Sequence, residues 1–185
     1  MKFQIFATFS LLLLVYMVWP GPSNISQFAA LPNSDKSTLS GDTVQIPNVS
    51  AYFSNNFRNF VVPFYSRDFQ KLSNLPFPPL RLNPPPEFSW NVIKKHTDST
   101  YLEELVYPLR DSIYVNGFEP FYEDGQPKFW GATKFEIDGR GWFTKTTLRF
   151  YPSNILARIF VWFGITISII LLYQLGRKIL LQKYE

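Results

Sequence analysis

The sequence predicts a membrane-anchored α+β protein, with two transmembrane helices flanking a small outer domain built from an antiparallel β-meander and one or two short helices. Three observations predict it. Apolar runs almost free of charge lie near both ends of the chain. The net charge resides beside those runs rather than between them. The second half of the intervening region alternates aromatic and polar residues between turn-forming dipeptides.

The first element is residues 1–19, an N-terminal transmembrane anchor. Phe3 to Trp19 carries no charged residue, and Lys2 precedes it. Seventeen residues is close to the shortest helix that crosses hydrocarbon, about 17–25 residues being usual. A signal peptide opens the same way, but its small-residue cleavage site is poorly matched at Gly21-Pro22-Ser23 and at Phe28-Ala29-Ala30, so an uncleaved anchor is the preferred reading. Residues 20–48 follow, rich in Ser, Asn, Pro and Asp and without periodicity, as in a flexible linker.

Residues 49–86 form an aromatic and proline-rich arm. Phe53, Phe57, Phe60 and Phe64 are spaced by four, three and four, which would stack them on one helical face. Pro63 should end that helix by about Val62, and Pro76, Pro78, Pro79 and Pro84 to Pro86 call for extended backbone. The rings either pack as core or form a recognition segment for a protein partner.

Residues 87–152 are the predicted extracytoplasmic α+β domain. Glu87 to Thr97 follows a proline and reads as a helix. Thr100-x-x-Glu103 resembles a capping box opening a second, two-turn helix that Pro108 stops. From Leu109 the pattern turns to strands. Asp111 to Val115 runs into Asn116-Gly117, a strong hairpin signal, and on to Phe118 through Tyr122. Glu123-Asp124-Gly125 makes a second turn, Phe129 to Ile137 a strand closed by Asp138-Gly139, and Trp142 to Tyr151 the last strand.

Residues 155–175 are the C-terminal transmembrane helix, with one charge, Arg158, whose long side chain can snorkel to the head groups. Gly164-x-x-x-Ser168 would let a second helix approach. Residues 176–185 are a basic cytoplasmic tail. Lys2, Arg177, Lys178 and Lys183 flank the apolar runs and place both termini in the cytoplasm, with residues 20–154 outside the cell membrane.

Charge and composition exclude several functions. Pro20 to Asn154 holds 13 basic and 13 acidic residues, so the net charge of +4 belongs to the ends. A neutral domain gives no basic face for nucleic acid, and none is expected as a partner. With no Cys and a single His, His96, thiolate metal sites and disulfides are impossible and a His-based site is unsupported. No cofactor, metal or catalytic residue is expected. His96, Asp98 and Glu103 read more simply as surface groups than as an acid–base cluster, and the acidic pairs near turns as solvated charges rather than glycosidase carboxylates.

The expected function is therefore non-enzymatic: an integral membrane protein whose outer domain binds or positions a protein partner in an envelope assembly or scaffold. The lipid bilayer is the other expected partner. The candidate surface is Phe53, Phe57, Phe60, Phe64, Trp130, Trp142 and Tyr114. An alternative is a carbohydrate-binding module using exposed Trp and Tyr, and a less favoured one is a hydrolase of envelope polymers.

Overall fold

The computed structural model describes residues 2–40, 42, 46–83 and 99–182. In chain order its elements are α1 (Lys2–Val18), a 3₁₀ turn (Ile25–Gln27), β1 (Ser34–Lys36), β2 (Val49–Ser54), α2 (Arg58–Ser73), β3 (Leu80–Leu82), β4 (Thr100–Val106), β5 (Ser112–Phe118), β6 (Phe135–Ile137), β7 (Arg140–Trp142), β8 (Thr144–Tyr151) and α3 (Ile155–Gln182). They divide into two compact units: Pro20–Pro152, and a helical unit of Met1–Trp19 with Ser153–Glu185.

The Pro20–Pro152 unit is mixed α+β. Six strands form an antiparallel sheet in the order β1-β2-β8-β5-β4-β3, and β6 with β7 forms a separate two-stranded ribbon. Alternation sorts the central strands into two faces. Tyr101 and Leu105 of β4, Ile113 and Val115 of β5, and Leu148 and Phe150 of β8 point inward. They form the core with Val61, Val62, Tyr65 and Phe69 of α2. Val61, Tyr65 and Phe69 recur every four residues with Val62 beside them, so a single stripe of the helix covers the sheet.

The β6–β7 ribbon covers part of the other face. Phe135 lies 5.3 Å from Phe53 and 5.9 Å from Phe118. Its two-residue turn is Asp138-Gly139, with φ of 50° and 76°, the type I′ pattern that suits the right-handed twist of a hairpin. The predicted turn at Glu123-Asp124-Gly125 is also present: the Gly125 N–H donates to the Tyr122 carbonyl at 2.9 Å.

Several expectations are corrected. Residues 20–40 are not a tether. Phe28 and Leu31 are buried in the core, Phe28 sits 5.2 Å from Phe150, and β1 pairs with β2. Scattered single apolar residues without periodicity anchor the segment one at a time. Pro63 lies inside α2 rather than ending it. Placed in the second turn, it removes only the bond to the Asn59 carbonyl, and the burial of Tyr65 and Phe69 beyond it outweighs that loss. The helix ends at Asn74, in the left-handed conformation that asparagine tolerates.

Thr100–Val106 is a strand, not a capped helix. Its neighbours on both sides dictate the backbone, and Tyr101, Glu103 and Leu105 face inward by twos. Asn116-Gly117 is not a turn either. β5 runs straight through it, pairing Gly117 with Tyr101 on one side and Thr146 on the other. A methyl group at Gly117 would overlap the Tyr101 ring, so the glycine is there for close approach, its bare backbone covered by an aromatic from the next strand. Beyond Phe118 the expected strand is only a bridge of Phe121 with Pro127, and the strand predicted from Phe129 begins at Phe135. The single last strand divides at Phe143 into β7 and β8. The predicted helix Glu87–Thr97 lies outside the described residues, as do Pro84 to Pro86.

In the helical unit, Ile155–Leu180 of α3 is long and apolar enough to cross a membrane. α1 is not. Its 17 residues rise about 25 Å against a hydrocarbon core of about 30 Å. Among the described residues there is one helix of spanning length rather than the two expected.

Candidate functional site

Three arrangements of side chains stand out, one in the helical unit and two in the sheet unit.

α1 and α3 lie side by side and antiparallel, since Ser10 meets Thr166 while Met17 meets Arg158. The Ser10 and Thr166 hydroxyls are 3.0 Å apart. The Trp162 indole N–H donates to the Ser10 carbonyl at 2.8 Å, and Arg158 Nη1 donates to the Met17 carbonyl at 3.0 Å. Arg158, Trp162 and Thr166 recur every four residues, so one stripe of α3 supplies every bond. The snorkelling expected of Arg158 is replaced by an inward role. Its side chain is buried, with Nε donating to Ser153 Oγ at 2.6 Å and Nη2 to the Ser153 carbonyl at 3.2 Å. Met17 belongs to the last turn of α1, where carbonyls have no helical partner and carry partial negative charge. A guanidinium, with donors in a planar fork, suits that position. Gly164 faces open space, so the Gly164-x-x-x-Ser168 spacing is not what brings these helices together.

In the sheet unit, Glu103 and Glu119 converge on the start of α2. Glu103 is 0% exposed. Its carboxylate accepts from Arg58 Nη2, and from Arg81 Nε and Nη2 at 2.7 and 2.9 Å. The Glu119 carboxylate accepts the Arg58 backbone N–H and faces Lys128 Nζ at 3.5 Å. Phe57, the N-cap of α2, offers no capping side chain, so Glu119 caps the helix from outside it. Burial disfavours the Glu103 anion, but the hydrogen bonds and charges of Arg81 and Arg58 outweigh it and hold the carboxyl below its ordinary value. Burial dominates at Glu119 and raises its carboxyl, against the opposing charge of Lys128. Separated acidities are a feature of acid–base pairs. Here, however, both carboxylates are buried and both oxygens of each are engaged, which makes the cluster a brace between α2 and the strands.

The third arrangement is the surface at the two ends of the sheet. Trp130, in the connection after β5, is 100% exposed, beside Phe129, which lies 6.5 Å from Phe118 at the end of β5. Tyr122 and Phe60 are also exposed at that end, and Asn59 Nδ2 donates to Glu123 Oε1 between them. The opposite end carries the β4–β5 turn.

The predicted site residues separate accordingly. Phe53 is buried in β2, Phe57 caps α2, and Phe60 and Phe64 stack at 5.9 Å on α2 with Phe64 packed against the core. Tyr114 lies half-buried on the outer face, 5.4 Å from Tyr151. Trp142 is half-buried, and its indole N–H finds no hydrogen-bond partner among the described residues. Glu103 and Glu104 point to opposite faces. Arg177 and Lys178 lie in α3 and Lys2 opens α1. His96, Asp98 and Lys183 fall outside the described residues. No group of three or more metal-ligating side chains occurs among the described residues.

No known protein family, curated protein or solved structure matches this chain. Of the residues brought forward by the structure, Arg58, Arg81, Ser10 and Thr166 carried no local signal, because each acts on a partner distant in sequence.

Proposed function

We propose that this chain is a non-enzymatic integral membrane protein whose outer domain binds a protein partner at the membrane surface, as a subunit or scaffold of an envelope assembly. The observation that carries the reading is Trp130. A fully exposed indole has no role in the fold's stability, and large aromatic side chains are the usual anchors of protein interfaces. Tyr122 and Phe60, exposed at the same end of the sheet, extend the surface.

The membrane side of the reading rests on α3, which spans, with α1 packed beside it as a shorter embedded helix. Arg158 and Trp162 hold the two helices together by donating to α1 backbone carbonyls. Arg177, Lys178 and Lys183 after the apolar stretch of α3 place its C-terminal end in the cytoplasm and the residues that lead into it outside. Carbohydrate is the second reading, favoured by the same bare indole, which can stack on the apolar face of a sugar.

A photo-crosslinking residue placed at Trp130 in the full chain, in native membranes, tests both. One protein adduct of defined mass, absent when the residue is placed at Arg67 instead, is expected. Adducts spread evenly over abundant neighbours, with retention on glycan that Trp130→Ala abolishes, would favour the carbohydrate reading.

A further inference from the structure

Both connections to the apolar helices leave the sheet unit at one end, and that end is apolar where it should be polar. The chain enters at Pro20, whose carbonyl accepts Arg110 Nη2 at 3.2 Å, with Gly21 tucked against Arg110 and Asp111. It leaves after Tyr151, which pairs with Ser112 at the start of β5. Arg110, Asp111 and Ser112 are consecutive, so entry and exit flank the β4–β5 turn. Only Pro152, Ser153 and Asn154 separate Tyr151 from α3, a reach of at most about 14 Å.

The turn itself is built against local preference. The Arg110 N–H donates to the Tyr107 carbonyl at 2.9 Å, with Pro108 and Leu109 at the two central positions. Leu109 has φ of 63°. Proline followed by positive φ is the type II pattern, whose third residue is normally Gly or Asn. A leucine there is strained, because left-handed backbone crowds its Cβ against the following carbonyl oxygen. It gains nothing from the core in return, being 46% exposed. Around it stand Leu80, which is 55% exposed on edge strand β3, with Phe77 and Tyr151 also exposed. Tyr107 ties this rim together: its hydroxyl donates to the Phe77 carbonyl at 3.0 Å. Lys71, in the last turn of α2, adds an exposed cation at the same end.

We infer that this rim, Leu109 with Leu80, Phe77 and Tyr151, inserts into the interfacial layer of the bilayer and fixes the outer domain's base on the lipid. The occupant is lipid because the chain itself brings the rim there: the end that carries the exposed apolar residues is the end from which the membrane helix departs. Strain at an exposed leucine is then explained by what its side chain touches in the membrane. The proposal rests on the membrane reading above.

The absence of native Cys makes single-site labelling clean. The full chain is reconstituted in phosphatidylcholine–phosphatidylglycerol vesicles containing lipid with a nitroxide near the head-group end of its acyl chain. An environment-sensitive fluorophore is attached through Leu109→Cys, Leu80→Cys, Leu172→Cys or Trp130→Cys in separate preparations. Labels at positions 109, 80 and 172 should each lose roughly half their emission to the nitroxide, and the label at 130 should lose none. If position 172 is quenched while 109 and 80 behave like 130, the rim proposal fails and the membrane reading stands. If position 172 is not quenched, both fail. Shielding of 109 from aqueous iodide without lipid quenching would place protein on the rim and also overturn the proposal. Leu109→Asn separates fold from contact. It should raise the melting temperature by about 3 °C by relieving the backbone and reduce quenching at a Leu80→Cys label about twofold. An unchanged label response in that variant would count against the rim.

Discussion

At the scale of single residues, the fold depends on groups whose roles are set by distant partners. Glu103 is the clearest. It is buried on the inner face of β4, and its single negative charge bridges Arg58 from α2 and Arg81 from β3. Glu103→Gln would leave two guanidinium groups facing each other and should cost about 3 kcal/mol, measured by urea unfolding of the full chain in detergent. A change within about 0.5 kcal/mol would mean the brace is dispensable. The pH dependence has a definite sign. The Glu103 carboxyl is held below its ordinary value, so its contribution is present above the unfolded-state pKa and is lost as pH falls through the lower folded value. Glu119 is raised, so its contribution is complete below the unfolded pKa and declines as pH rises through the folded one. Glu103→Gln should therefore flatten the loss of stability in acid and leave the Glu119 limb in place. Sequence alone suggested a cap for Glu103, because Thr100-x-x-Glu103 is a local pattern while its true partners lie 45 and 22 positions away.

At the scale of elements, local chemistry was legible where the element is local. Asp138-Gly139 is the hairpin turn its residues announce, and α3 is the helix its apolar run announces. Asn116-Gly117 misled because a turn signal loses to pairing on both flanks. The strands at its sides, β4 and β8, supply backbone bonds that a reversal there would forfeit. The same competition carried α2 through Pro63. The pairing of α1 with α3 was not legible at all: the spacing around Gly164 drew attention, while the bonds come from Arg158, Trp162, Thr166 and Ser10. That pairing gives a direct prediction. Because the hydroxyls of Ser10 and Thr166 are 3.0 Å apart, Ser10→Cys combined with Thr166→Cys should form an intramolecular disulfide on mild oxidation, seen as a faster-migrating band. Cleavage of the N-terminal segment in the cell would instead leave the C-terminal half alone and uncrosslinked.

At the scale of the whole molecule, charge and apolarity divide the chain more sharply than any motif does. Thirteen basic and thirteen acidic residues balance between Pro20 and Asn154, and the excess lies at the ends of the apolar helices. An impermeant maleimide applied to intact cells should label Trp130→Cys and leave Lys178→Cys untouched until the membrane is opened. Labelling of both from outside would reject the orientation. Domain organisation was less legible. The linker, arm and domain read along the chain become one unit from Pro20 to Pro152, because β2 and β8 pair across nearly 100 positions. The binding candidates suffered for the same reason. Four regularly spaced Phe residues were divided among a strand, a cap and a helix, and Trp130, which no periodicity marks, is the one left wholly in the open.

The position of β8 has a mechanical consequence. It lies between β2 and β5 and feeds, through three residues, into α3. A pull transmitted through that connection enters the sheet unit at the end of β8. The hydrogen bonds of an antiparallel ladder stand across the strand, so a pull along β8 against β2 and β5 loads both ladders in shear, all rungs at once, rather than opening one rung at a time. Within the sheet unit, the direction of greatest resistance is the long axis of its central strand.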